Sequence, residues 1–317
     1  MARALLLPPR RSCRLLSVMA LKCSKKGFSS SSDPPPEQPA QRPSEVHIEL
    51  REDGTAITIT EVRPWYNFGS VGAVVWPVAH TLVDVLKSAS FLPESNAIEL
   101  GAGTGVIGIA LGALTGGSVL LTDKLPPTPH SDAPYGPPKD VSPSGSLLQL
   151  CSQNVSLNRS VLGDVKVRPL TWGDDAAIEE CLSLTKEGNG FDLVVGSDVT
   201  YHSPAHPILF YTAARLLRRD RPTASAPSEG GDAAPLLGLI ISHHHRGVVS
   251  YESMLRAAHD AGFSEPRRLR TETSDVGATL DVLQFCLDEE GNRPTAIGKG
   301  SLPPTPTPGP IVGPGRI

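Results

Sequence analysis

Three rhythms of apolar residues run along this chain, and each predicts a different element. Residues 46–50 and 56–61 alternate apolar and polar side chains on either side of Asp53-Gly54, which predicts an N-terminal β-hairpin covering one side of a domain. Val78, Leu82, Val85 and Leu86 repeat at helical spacing behind Pro77, a residue suited to a first helical turn. Residues 97–100 and 118–123 are short, mostly apolar runs, as expected of strands buried on both faces. Between them Val106, Ile107, Ile109, Ala110, Leu111 and Leu114 predict an apolar helix closed by Gly116-Gly117. The alternation continues with a helix over 147–158, a strand over 165–170, a helix over 176–184 and a strand over 192–196. A helix over 204–217, a strand over 236–242, a helix over 251–261 ending at Gly262 and a last strand over 279–287 complete it. Pro169 assigns the third of the sheet strands to an edge, or marks its end. This order predicts an α/β fold: a doubly wound, Rossmann-like sheet of seven strands with terminal antiparallel strands.

Other stretches carry no rhythm. Residues 1–32 hold seven basic residues and no acid, with many Leu and Ser. Such a segment reads as a transit peptide for the mitochondrion or plastid, the alternative being a basic extension on a cytoplasmic protein. Residues 33–43 are a Pro/Gln linker within a disordered extension over 1–43, and residues 289–317 form a Pro/Gly-rich tail expected to be disordered. Pro-rich insertions interrupt the folded domain, residues 44–288, at about 125–145 and 218–235. No run approaches the roughly 18 apolar residues of a membrane span, so no membrane partner is expected.

Charge alters the picture of partners. The formal net charge is −4, but the basic leader masks a body with 22 Lys and Arg against 33 Asp and Glu, or −11. An acidic body is a poor general binder of nucleic acid, whose phosphates are met by Lys and Arg. It suits a basic partner, or simply keeps the protein soluble. Five scattered cysteines with no C-x-x-C pair argue against a structural zinc and for a reducing compartment.

Candidate chemistry centres on Glu99-Leu-Gly101-Ala102-Gly103-Thr-Gly105 and on Asp123, which ends the next strand. The glycines let the backbone turn tightly and approach a ligand. An acid at Asp123 can accept hydrogen bonds from ribose hydroxyls. Gly103 to Gly108 also matches G-x-G-x-x-G, so a dinucleotide is one candidate ligand. Glu99 opposes a pyrophosphate by like charge and suits instead a ligand bearing an ammonium and a sulfonium. Three aromatics within residues 65–68, with Trp76 beyond them, are either core packing or a lid over the ligand. Asp198 and Tyr201 follow a buried strand whose carboxyl end borders the same crevice. They either position an acceptor amine and stabilise its developing charge, or Asp198 merely caps the next turn or helix. His243, His244 and His245 cannot all face one metal from an extended strand. No metal site is expected, and one of the three could line the substrate entrance.

Four landmarks occur in order: Gly72-Ala-Val-Val-Trp76-Pro, Glu99 to Gly105, Leu170-Thr-Trp172-Gly173, and Ser197-Asp198-Val-Thr-Tyr201. Together they resemble the seven-β-strand protein-lysine methyltransferases of methyltransferase family 16, over about residues 46–287. The resemblance implies S-adenosyl-L-methionine as cofactor. It implies that Trp76 packs on that cofactor, and that Gly101, Ala102 and Gly103 meet its amino-acid part. Asp123 would take the ribose, Trp172 flank the adenine and Ser197 face the cofactor through its backbone. Asp198 and Tyr201 match the D-x-x-Y signature at the target side chain. The expected function is methyl transfer to a lysine of a partner protein by a monomer. A protein-arginine or small-molecule methyltransferase on the same fold, and an interaction module without activity, are the alternatives.

Overall fold

The computed structural model describes residues 43–62, 71–125, 147–218, 234–246 and 251–288. The transit-peptide segment, the linker, the aromatics at 65–68, nearly all of both insertions and the C-terminal tail lie outside the described residues.

An antiparallel hairpin comes first, β1 (Ser44–Glu49) with β2 (Ala56–Glu61), forming its own two-stranded sheet. Asp53 Oδ1 accepts hydrogen bonds from the Thr55 N–H and hydroxyl, which tightens the connection. Helix α1 (Pro77–Lys87) begins at the expected proline. The main sheet is then built from β3 (Asn96–Leu100), β4 (Ser118–Asp123), β5 (Asp164–Pro169), β6 (Leu193–Ser197), β7 (Gly238–His244), β8 (Arg267–Thr273) and β9 (Thr279–Phe285). Its order is β5-β4-β3-β6-β7-β9-β8. The first five strands in that order run parallel, β9 is antiparallel to β7, and β8 to β9. Pro169 therefore does end an edge strand, where its missing N–H breaks no ladder.

Alternate residues of the central strands feed two cores. Ala97, Val119, Leu121, Val195 and Ile240 pack under α1, under α2 (Val106–Thr115) and under α3 (Leu147–Leu157). Ile57 and Ile59 of the hairpin join that layer. Ile98, Leu100, Leu120, Val194 and Ile241 face the other way, towards α4 (Asp175–Leu182), α5 (His206–Leu216) and α6 (Tyr251–Asp260). Burial on both faces explains the continuous apolar runs.

Departures from expectation are local. Strands β6 and β7 end one and two residues later than the pattern indicates, and a 3-10 turn at Ser203–Ala205 precedes α5. Strand β8 has no apolar alternation to betray it. Its sequence is Arg-Arg-Leu-Arg-Thr-Glu-Thr, and as the outermost strand it is exposed along most of its length.

Candidate active site

The chain leaves β3 towards β4 and β5, then crosses to the other side of β3 to form β6. Open α/β sheets bind ligands beyond the carboxyl ends of the strands at such a switch point. Both sequence-predicted clusters meet there, the glycine loop at the end of β3 and Ser197 to Tyr201 at the end of β6.

The loop is shaped by its glycines. Gly101, Gly103 and Gly105 adopt φ values of +68°, +54° and +82°, which other residues rarely take. Three segments wall it closely. A Cβ on Gly103 would lie 2.4 Å from the Gly72 carbonyl oxygen, and one on Gly101 would lie 2.9 Å from Val199 Cγ1 and 3.4 Å from the Trp172 ring. Trp172 therefore stands beside the loop. Ala102 is buried and donates its N–H to the Thr122 carbonyl at 2.9 Å, extending the ladder past the strand end.

Two buried acids flank the loop. Glu99 Oε2 accepts the Gly108 N–H at 2.8 Å, under the first turn of α2. The side chain thus braces the helix that follows the loop. Burial pushes its carboxyl up to about 8; the Gly108 bond opposes this and the charge of Asp123 adds to it. Asp123 Oδ2 accepts the Gly103 N–H and Oδ1 the Lys124 N–H, both at 2.8 Å. Burial raises its pKa as well, against those two bonds and Lys124.

Across the crevice Asp198 sits at φ +54°, an uncommon conformation for a residue with a side chain. Its N–H donates to the Ser242 carbonyl at 3.0 Å, and the Ser242 hydroxyl donates to Ser197 Oγ at 2.9 Å. The carboxylate does not cap the following turn or helix. It receives Nη1 and Nη2 of Arg246, each at 2.6 Å, in a bidentate pair. The same guanidinium lies 5.3 Å from the centre of the Trp76 ring, whose Nε1 donates to the Val71 carbonyl at 2.9 Å. Tyr201 is 53% exposed. Burial of part of the ring, then the carboxylates of Asp123 and Asp198, push its phenol upward while Arg246 pulls it down. The phenol therefore stays neutral at physiological pH.

The three histidines divide as strand geometry requires. His243 and His245 lie with ring centres 4.5 Å apart and face Tyr251. His243 is buried, bonds the Thr200 hydroxyl at 2.7 Å, and is lowered to about 4, chiefly by burial. His244 is the one near the crevice. Burial lowers its pKa, followed by the charge of Arg246, with Asp198 opposing. Among the described residues no group of three or more His, Cys, Asp or Glu is arranged to hold a metal.

Arg246 is the residue beside the crevice that sequence reasoning missed, while Gly72 and Val199 stood in the landmarks with no task assigned and His244 was one of three histidines left open. Arg246 had a usable signal, since it lies two residues beyond a strand whose carboxyl end borders the crevice. Val199 lies between Gly101 and Gly196 and ties one loop to the other, a role visible only in three dimensions.

The residues present fit a ligand carrying positive charge and hydroxyls. Glu99 and Asp123 are buried acids and, among the described residues, accept hydrogen bonds from the backbone N–H groups of Gly108, Gly103 and Lys124. Their raised pKa values mean that a cation placed beside them would stabilise their ionised forms. A pyrophosphate would instead press both towards their neutral forms.

The chain also has recognisable relatives. The lysine methyltransferase family model matches residues 52–129 and 141–225, about half of the chain. EEF1A lysine methyltransferase 3 of Mus musculus is 33% identical over 201 residues, covering 59% of this chain and 72% of that protein. Protein N-lysine methyltransferase METTL21A of Danio rerio is 32% identical over 161 residues, covering 50% of this chain and 61% of that protein, less than two thirds of its length. Among solved structures, M. jannaschii TYW2 in complex with AdoMet superposes with a TM-score of 0.41 and 14% identity, covering 79% of this chain and 89% of that one.

Proposed function

Because the chain belongs to the lysine methyltransferase family, we propose that it transfers a methyl group from S-adenosylmethionine to a lysine ε-amine of a partner protein. The observation that carries this reading is the facing of two clusters across one switch point. A glycine loop flanked by buried acids stands on one side, and Asp198 with Tyr201 on the other. The named relatives act on protein lysines, one of them on EEF1A. A basic partner agrees with the −11 formal charge of this chain beyond residue 32.

On this reading the loop from Gly101 to Gly103 receives the amino-acid part of the cofactor, with Glu99 bracing the loop and supplying negative charge. Asp123 takes the ribose hydroxyls, sharing its oxygens with the Gly103 and Lys124 N–H groups. Trp172 lies along the adenine beside Gly101, and Ser197 presents its backbone. Trp76 closes the other side of the crevice. The bound cofactor supplies an electrophilic methyl on a sulfonium. The protein's task is then to hold an uncharged amine in line with that methyl and to exclude water. The half-exposed phenol of Tyr201 orients the amine, and Asp198 sits beside it.

The test uses the full chain, tritiated S-adenosylmethionine and a whole-cell protein extract, beside Asp198→Asn and Tyr201→Phe. A labelled protein that yields methyl-lysine on hydrolysis, with label reduced at least tenfold in both variants, is the expected result. Methyl-arginine would keep the fold and overturn the acceptor. Tight cofactor binding with no labelled protein would move the acceptor to a small molecule.

A further inference from the structure

Arg246 pairs with Asp198 at the edge of the crevice, and the lysine reading above gives it no task. We propose that Arg246 is a positioning residue of the reaction: by clamping and neutralising Asp198, it keeps that carboxylate from holding the acceptor amine as an unreactive ammonium. The inference rests on the lysine-methylation reading.

Methyl transfer consumes the lone pair of the amine. That pair forms the new N–C bond as the methyl leaves sulfur, which keeps the electrons of the broken S–C bond. The acceptor must therefore first release one proton to water. A bare carboxylate beside it favours the ammonium, whereas a neighbouring cation favours the free amine. Asp198 is only 7% exposed, so its field would be poorly screened. Its geometry points to a fixed pair. Both oxygens are taken by the two guanidinium nitrogens at 2.6 Å, the guanidinium is held over the Trp76 ring, and the left-handed backbone at Asp198 aims the side chain. Acid and base together form a neutral polar wall with a cationic outer edge.

The charged groups around this pair come from three elements. Tyr201 belongs to the same loop, with Asp123 from the end of β4 acting on it. His243 and His244 come from β7, with His245 acting on both. Burial holds those first two histidines below, and the phenol above, their ordinary values. Glu99, near the end of β3, is raised to about 8 in the cofactor-free protein, but it is common to every variant and cancels in a comparison.

The experiment measures kcat against pH, from 6.5 to 9.5, with saturating S-adenosylmethionine and the acceptor protein that the labelling experiment isolates. Full-length Arg246→Gln, Arg246→Lys and the double variant Arg246→Gln/Asp198→Asn are compared with the wild type. Calorimetric binding of S-adenosylmethionine checks that each is folded. In Arg246→Gln the midpoint of the rise with pH should move up by about one unit, a loss of roughly tenfold at the low end that recovers at the high end. Arg246→Lys should restore part of the shift. The double variant should return the midpoint towards the wild type even if its maximum rate is lower, because no uncompensated carboxylate remains. A uniform loss in Arg246→Gln with an unmoved midpoint would reduce Arg246 to a structural part, and a gain at every pH would make it an obstacle to the acceptor. If Arg246→Gln does not fold, a midpoint raised by less than about one unit in Arg246→Lys and unmoved in the double variant supports the proposal, and an unmoved midpoint in Arg246→Lys or a raised one in the double variant overturns it. A wild-type chain that binds cofactor and labels no lysine removes the parent reading and this one with it.

Discussion

Gly103 and Gly116 share a left-handed backbone, at φ +54° and +64°, but only one of them has a neighbour to hit. Alanine at Gly116 meets nothing within 4 Å, so its cost is that of the backbone alone, about 1 kcal/mol. Alanine at Gly103 adds a contact of 2.4 Å with the Gly72 carbonyl oxygen, and backbone cannot swing aside as a side chain can. Gly103→Ala should therefore lose roughly 3 kcal/mol and weaken S-adenosylmethionine binding at least tenfold, while Gly116→Ala leaves binding intact. Thermal unfolding and calorimetry of the two variants would check this, and equal losses with unchanged affinity would count against the loop as the cofactor cradle. The glycines could be read from the sequence because a missing Cβ is a local property. The Asp198–Arg246 pair could not, since its partners are 48 residues apart and meet only because β6 and β7 are neighbours. For the same reason capping stayed open as the alternative reading of Asp198, until its carboxylate was seen to be taken by Arg246.

Among the elements, the hairpin depends on α3 in a way no hydrophobic pattern announces. Asn154 and Asn158 stand one helical turn apart and bond the open edge of β2 in place of another strand. The side-chain amide of Asn154 accepts the Thr60 N–H at 2.9 Å and donates to the Thr60 carbonyl at 3.0 Å and the Thr104 carbonyl at 2.9 Å. Asn158 accepts the Thr58 N–H at 2.8 Å and donates to the Thr58 carbonyl at 2.7 Å. Asn154 is wholly buried. Asn154→Ala should leave several buried backbone groups unpaired and lose roughly 3 kcal/mol or more, whereas Ser156→Ala, on an exposed part of the same helix, should change little. Urea unfolding of both variants measures the difference; similar midpoints would mean that water replaces the amide. Strands and helices with one strong period were legible in the sequence, because burial on one face or both leaves a repeat. Strand β8 was not, since an exposed edge strand needs no repeat. Nor was the Asn–β2 edge pairing, since an asparagine reads as polar wherever it lies.

For the molecule as a whole, the buried titratable groups set opposite limits on stability. Glu99 is raised to about 8 from an ordinary 4.5, so the folded chain holds a proton there that the unfolded chain has released. Its contribution is complete below about 4.5 and is lost as pH rises through about 8. His243 is lowered to about 4 from 6.5, so the unfolded chain takes a proton that the folded chain refuses. Its contribution is present above about 6.5 and is lost as pH falls towards 4. His206 and His244 are also lowered, chiefly by burial, and act in the same sense as His243. Between about pH 4.5 and 6.5 Glu99 opposes His243, and the raised Asp123 carboxyl sides with Glu99 at the acid end. Above 6.5 the Glu99 effect stands without that opposition and is worth about 1.4 kcal/mol per pH unit at most. Stability of the cofactor-free protein should therefore be greatest near pH 6 and decline towards pH 8. Cationic cofactor beside Glu99 would stabilise the ionised carboxyl, so saturating S-adenosylmethionine should flatten the alkaline decline and its affinity should rise over the same interval. Glu99→Gln keeps an acceptor for the Gly108 N–H but cannot ionise. It should abolish the decline in the cofactor-free protein and bind cofactor more weakly at pH 8. Denaturant unfolding at four pH values, with and without cofactor, decides the matter. A decline that survives in Glu99→Gln would assign it to another group and leave the loop's charge with no part in binding.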